Sequence, residues 1–213
     1  MKVAVLGATG PSGQAVVEEA LSRGHEVLAL VRNPDGMTVT HEKLQVQKID
    51  LADEETVIPH MKGCDAVVSC IGSKASFFSG ITLYSDTIKV IASSMRKANV
   101  NRFVCMSAWG TKYTQYEPWF MTYLLRPLFL RTVLADMSRM EDYIQAECQD
   151  INYTVVRPPG LTLNESTGKE IKTSDGQFVP NTKGSIPRKD VAKFILQCLE
   201  THDWDRKMVA ITV

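Results

Sequence analysis

The chain has 213 residues, the length of one ordinary domain, and at that size roughly 70% of the unfolded surface can be buried without disulfide or metal staples. Lys+Arg and Asp+Glu number 24 each, for a formal net charge of zero. The chain therefore lacks the overall positive field that draws proteins to nucleic acid or anionic lipid, and with 44% hydrophobic and 23% charged residues it is not a disordered chain.

The first apolar run, Val3–Leu6, is only four residues long, too short for a signal-peptide core. The stretch Trp119–Leu130 is broken by Arg126 and Pro127 and falls short of the ~20 apolar residues of a membrane span. The five cysteines never fall as Cys-x-x-Cys, so zinc and thioredoxin-like sites have no support. A reducing, cytoplasmic compartment is the expected home.

Short β-branched runs alternate with helical patterns along the chain. Strands are predicted over Lys2–Leu6, Glu26–Val31, Leu44–Ile49, Ala66–Ile71, Arg102–Met106, Tyr153–Val156 and Met208–Val213. Helices are predicted over Pro11–Arg23, Asp53–Met61, Ile81–Ala98, Met137–Gln149 and Arg188–Glu200. Near-continuous apolar strands are those buried on both faces. The expected fold is α/β: a single Rossmann-type doubly wound parallel sheet with helices on both faces. The whole chain, 1–213, is expected to be one domain, with 108–135 and 160–186 as substrate-side cap segments. Segment Leu161–Ser185 reads as loop with one weak β-pair. The aromatic segment 108–135, which carries Trp109, Tyr113 and Trp119, reads either as a helical hairpin packed on the core or as a substrate lid.

Gly7-Ala8-Thr9-Gly10-Pro11-Ser12-Gly13 lies between the first strand and the first helix. This G-x-x-G-x-x-G loop is a variant of the dinucleotide fingerprint, in which glycines let backbone amides approach a pyrophosphate at a helix N-terminus. Pro11 suits the first helical turn, and Ser12 offers a hydroxyl. The second strand runs out into Arg32 rather than a carboxylate. A guanidinium is a fork suited to a 2′-phosphate, so NADP(H) is the expected cofactor. Asp50 and Leu51, after the third strand, are expected at the adenine. Cys70, Ile71 and Gly72, at the end of the fourth, are expected to pass near the cofactor ribose. Lys74 either adds a positive charge there or stays a solvated loop lysine.

Cys105, Met106 and Ser107 end the fifth strand, where a nicotinamide is expected. At this point the chain resembles the atypical short-chain dehydrogenase/reductase group of NAD(P)H-binding, NmrA-like proteins, and within it the NADPH-dependent flavin reductases (biliverdin-IXβ reductases). The resemblance rests on Gly7-Ala-Thr-Gly10-x-x-Gly13, Leu30-Val31-Arg32, Asp65-Ala66-Val67, Ile71-Gly72, Ser107-Ala108, Arg157-Pro158-Pro159 and Asp190. It implies hydride transfer from the nicotinamide to a planar conjugated acceptor: flavin, quinone-like or tetrapyrrole. Ser107 then donates a hydrogen bond to nicotinamide or substrate, Pro158 joins the cofactor site, and Pro159, Gly160, Trp109, Tyr113 and Trp119 line the substrate side. Ordinary short-chain dehydrogenases use Tyr-x-x-x-Lys as their acid–base pair. Residues four beyond the six tyrosines are Ile88, Glu117, Phe120, Pro127, Glu147 and Arg157, none of them lysine.

Two departures bear on the substrate. Gly160 stands where the flavin reductases carry His, and the Asp35-Gly36 turn replaces a second basic residue near Arg32. The alternative function is a non-catalytic NmrA-like redox sensor that binds NADP(H) and acts through a protein partner. No metal, nucleic-acid or membrane site is expected. The expected partner is a small planar substrate. A monomer is the expected state, with a weak dimer as the alternative.

Overall fold

The structure, a computed structural model, describes residues 1–72, 82–114, 130–182 and 184–213. Its strands are β1 (Lys2–Leu6), β2 (Glu26–Val31), β3 (Leu44–Lys48), β4 (Ala66–Ser69), β5 (Arg102–Met106), β6 (Asn152–Arg157), β7 (Gly160–Thr162), β8 (Lys172–Ser174), β9 (Ser185–Pro187) and β10 (Lys207–Thr212). The helices are α1 (Pro11–Ser22), α2 (Ile58–Met61), α3 (Leu83–Ala98), α4 (Arg131–Glu147) and α5 (Arg188–Glu200). Eight strands form one sheet in the order β3-β2-β1-β4-β5-β6-β10-β8. All its pairings are parallel except the edge pair β10–β8. This is the expected α/β Rossmann architecture.

The period-2 alternation of each inner strand splits its side chains between two cores. Val3 and Val5 of β1 pack under α1 and α5, whereas Ala4 and Leu6 pack under α2, α3 and α4. Both faces are covered, which is why these strands read as continuous apolar runs. The chain leaves β1 toward β2 on one side and returns to β4 on the other, so the topological switch point falls beside β1. Leu6 lies level with both Leu30 and Ser69, Ser69 with Cys105, and Met106 with Val156. The loops that follow these strand ends therefore stand in one row.

Three elements differ from expectation. Helix α4 starts at Arg131, six positions before the expected Met137; in those added turns Leu134 is buried but so is a carboxylate, Asp136, which masks the apolar stripe, and Glu141 is a second buried carboxylate further along. Asp136 accepts from the backbone amides of Tyr84 (2.7 Å) and Ser85 (3.4 Å) and so caps α3 from a neighbouring helix. The expected helix Asp53–Met61 is a 3₁₀ turn, Glu54–Thr56, followed by the short α2, which carries Pro59. Segment 161–185 forms two pairings rather than one: β7 with β9, and β8 antiparallel to β10.

Candidate cofactor and active site

At the row of strand ends, sequence and backbone geometry combine into a cradle. Gly7 adopts φ +72°, and a Cβ there would sit 2.6 Å from the Cys70 carbonyl oxygen. A Cβ at Gly13 would lie 2.2 Å from the Gly7 oxygen. Both glycines are thus required by close packing of strand, loop and helix. Gly10 is different: the closest atom to a Cβ there is the Gly7 oxygen at 3.4 Å, so the space before the loop is open. Gly10 is also the N-cap of α1 and supplies no side-chain cap, with Pro11 first in the helix. The first-turn amides at Ser12 and Gly13 thus face outward without a side-chain partner, a site matched to a phosphate group. Those features fit a dinucleotide diphosphate.

Beside the cradle, Gln14 ties the loop after β2 to the glycine loop. Its Nε2 donates to the carbonyls of Thr9 (3.0 Å) and Gly36 (3.4 Å), and its Oε1 accepts from Thr38 Oγ1 (2.5 Å). Arg32 follows β2 and is exposed, so its guanidinium is available to a ligand at that end. Asp50 is exposed, and one carboxylate oxygen accepts from the Ala52 amide at 2.9 Å. Leu51 is half-buried against the core. Beyond β4, Ile71 is half-buried and Gly72 exposed. Cys70 and Cys105 are buried, so only their backbones face the strand ends. Burial pushes the Cys70 thiol up to about 12 and the Cys105 thiol well above its usual value. Lys74 and Trp119 lie outside the described residues.

The end of β5 leads into a buried polar network that apolar periodicity does not signal. Ser107 is 4% exposed and donates to Glu141 Oε1 at 2.7 Å. Arg157 from the end of β6 grips both oxygens of Glu141, Nε to Oε1 at 3.0 Å and Nη2 to Oε2 at 2.8 Å. Thr111 Oγ1 lies 2.8 Å from Glu141 Oε2 and 2.9 Å from Gln177 Oε1. Its single proton serves one of these acceptors at a time. Glu141 is completely buried, and a buried carboxylate is retained only when paired in this way. The consequence for Ser107 is specific. Its proton is committed to Glu141, so toward a ligand it offers lone pairs, where the sequence reading expected a donor. Glu141 was detectable as a charge on the helical stripe of Leu134, Met137 and Ile144, though nothing in the sequence said what it would meet.

The expected substrate wall is only partly brought together. Trp109 is 8% exposed, and its ring meets Phe178 edge-on (5.6 Å, 75°) in a cluster with Val179 and Ala210. Most of its surface therefore goes into packing. Its backbone amide bonds to the Pro158 carbonyl at 2.9 Å, which fastens the segment after β5 to the end of β6. Pro158 and Pro159 are buried and Gly160 exposed. A Cβ at Gly160 would lie 3.0 Å from the Gly184 oxygen, so this backbone leaves little room for a side chain. Tyr113 is 73% exposed. Met106 is half-buried and packs toward the α1/α5 side.

The NAD(P)H-binding family profile matches residues 7–202, from the first glycine of the cradle to just past α5. The chain belongs to the NAD(P)H-binding family. As a member of it, the chain is 30% identical over 221 residues to an uncharacterized chloroplastic protein of Arabidopsis thaliana, covering 99% of this chain and 76% of the relative. It is 26% identical over 231 residues to a Bacillus subtilis protein named as an uncharacterized sugar epimerase, covering 100% of this chain and 94% of the relative. Among solved structures it is similar to a Streptococcus pneumoniae protein provisionally named an NADH-flavin reductase. That likeness has a TM-score of 0.77 and 25% identity, and covers 99% of this chain and 98% of the other. Among the described residues no helix is long and apolar enough to cross a membrane.

Proposed function

We propose that this family member is an NADPH-dependent reductase that passes hydride to a flat conjugated acceptor such as a flavin, a quinone-like compound or a tetrapyrrole. The observation that carries the reading is the Ser107–Glu141–Arg157 network. A serine at the nicotinamide end spends its proton on a carboxylate, and that carboxylate is held by a guanidinium. Ser107 in this setting can position a ligand but has no free proton to give it. Flat conjugated acceptors suit it because solvent can protonate them after reduction, so positioning is the main requirement. Ketone reduction and sugar epimerisation by the usual route need a Tyr-x-x-x-Lys pair, and no tyrosine here has lysine four residues on. The name of the S. pneumoniae neighbour agrees with a flavin acceptor.

In this reading the cradle amides hold the diphosphate, Arg32 the 2′-phosphate, and Asp50 and Leu51 border the adenine. Ser107 accepts a hydrogen bond from the nicotinamide amide. A reduced nicotinamide bound there supplies the hydride. Tyr113, Pro159 and Gly160 border the substrate side. The test offers NADPH with FMN, FAD, a quinone and biliverdin in separate assays and follows loss of nicotinamide absorbance. Turnover with at least one acceptor is expected. Tight NADPH binding without turnover on any of them would contradict the reading and favour a redox sensor.

A further inference from the structure

Arg188 opens α5, directly after β9, and its Nε donates to Ser12 Oγ of the glycine loop at 3.2 Å. Other charged groups in the same stretch are engaged elsewhere. Lys189 pairs with Glu165 at 2.6 Å, Lys193 donates to Ser166 at 2.8 Å, and Asp190 accepts from Ser166 and Thr167. Among the described residues Arg188 has no carboxylate within ion-pair distance, and its Nη1 and Nη2 have no hydrogen-bond partner. A cation in the first turn of α5 and beside the first turn of α1 sits where both helix dipoles are positive. Acidic groups are favoured at such positions, so this placement opposes the free protein and suits one holding an anion. The space that the anion would fill is the one left open at Gly10.

We propose that Arg188 is a cofactor-binding residue whose two free guanidinium nitrogens grip the diphosphate of the dinucleotide, opposite the amides of the cradle. This rests on the cofactor reading above. Ser12 has a part in it: by accepting from Nε it turns the fork toward the loop. Arg188 raises affinity for any dinucleotide, whereas Arg32 discriminates among them. The alternative is that Arg188 is only a strut between α5 and α1.

The test is calorimetric binding of NADPH and NADH, with melting of the ligand-free protein, for wild type, R188A and R32A. For R188A both dissociation constants rise together by about 10- to 100-fold, their ratio stays fixed, and the free protein melts at the same temperature or higher. R32A weakens NADPH alone. R188K recovers part of the loss. If R188A does not fold, R188Q tested with ADP replaces it and is expected to bind ADP about 10-fold more weakly. Unchanged affinity for both dinucleotides overturns the proposal, as does a loss confined to NADPH. A lower melting temperature with unchanged affinity shows the strut. If wild type itself binds neither dinucleotide, the cofactor reading fails along with it.

Discussion

At position 13 the backbone has room for glycine and for no other residue, since any Cβ would lie 2.2 Å from the Gly7 oxygen. Gly13→Ala is expected to cost about 1–3 kcal/mol of stability and to displace the cradle, so cofactor affinity falls as well. Thermal melts with and without NADPH read both effects. Arg32 makes the opposite kind of prediction, because it is exposed and its loss leaves packing intact. Arg32→Ala should raise the Michaelis constant for NADPH by roughly 10- to 100-fold, with little change for NADH. An equal effect on both would remove Arg32 from the 2′-phosphate. The cysteines give a third residue-level outcome. All five are free and buried, and burial raises the Cys70 and Cys198 thiols to about 12. A thiol reagent should label none in the native protein and all of them after denaturation.

Between elements, two buried carboxylates hold segments together, and each carries a stability prediction. Glu141→Gln keeps the shape of the side chain but leaves the Arg157 charge uncompensated in the core. A loss of about 3–5 kcal/mol in urea unfolding is expected. Asp190 fastens the loop at 166–167 to the start of α5. Burial pushes its carboxyl up, but hydrogen bonds from Ser166 and Thr167, with the Lys193 charge nearby, outweigh that and hold it below the usual carboxylate range. A carboxyl lowered by folding stabilises above its unfolded value near 4 and loses that contribution as pH falls through the folded value. Asp190→Asn should therefore be less stable than wild type at pH 7, with the difference shrinking below about pH 4. A difference independent of pH would mean that the carboxylate charge contributes nothing. The same buried carboxylates explain where pattern reading stopped. β1, β2, β5 and α5 follow uninterrupted apolar patterns and end where expected. α4 hides its first turns because Asp136 occupies a buried position that periodicity reserves for an apolar side chain.

Over the whole molecule, the parallel order β3-β2-β1-β4-β5-β6-β10 brings loops far apart in sequence to one edge. The glycine loop was legible because it is a local signal between a strand end and a helix start, and its close-packed glycines follow from that place. Glu141, Gln177 and Arg188 were not, since their roles depend on partners 34, 66 and 176 residues away. Trp109 was ambiguous for a related reason: an aromatic after a strand end can line a ligand site or fill a satellite core, and its contact with Phe178 is 69 residues away in sequence. Zero net charge leaves the chain without the overall positive field that draws a protein to polyanions. Single-turnover mixing of the NADPH complex with FMN tests the central claim most directly. Expected is flavin reduction matched one for one by nicotinamide oxidation, slowed by deuterium at the transferred position and independent of pH between about 6 and 9 if solvent supplies the proton. Bound NADPH that FMN and the other flat acceptors leave unoxidised would contradict it.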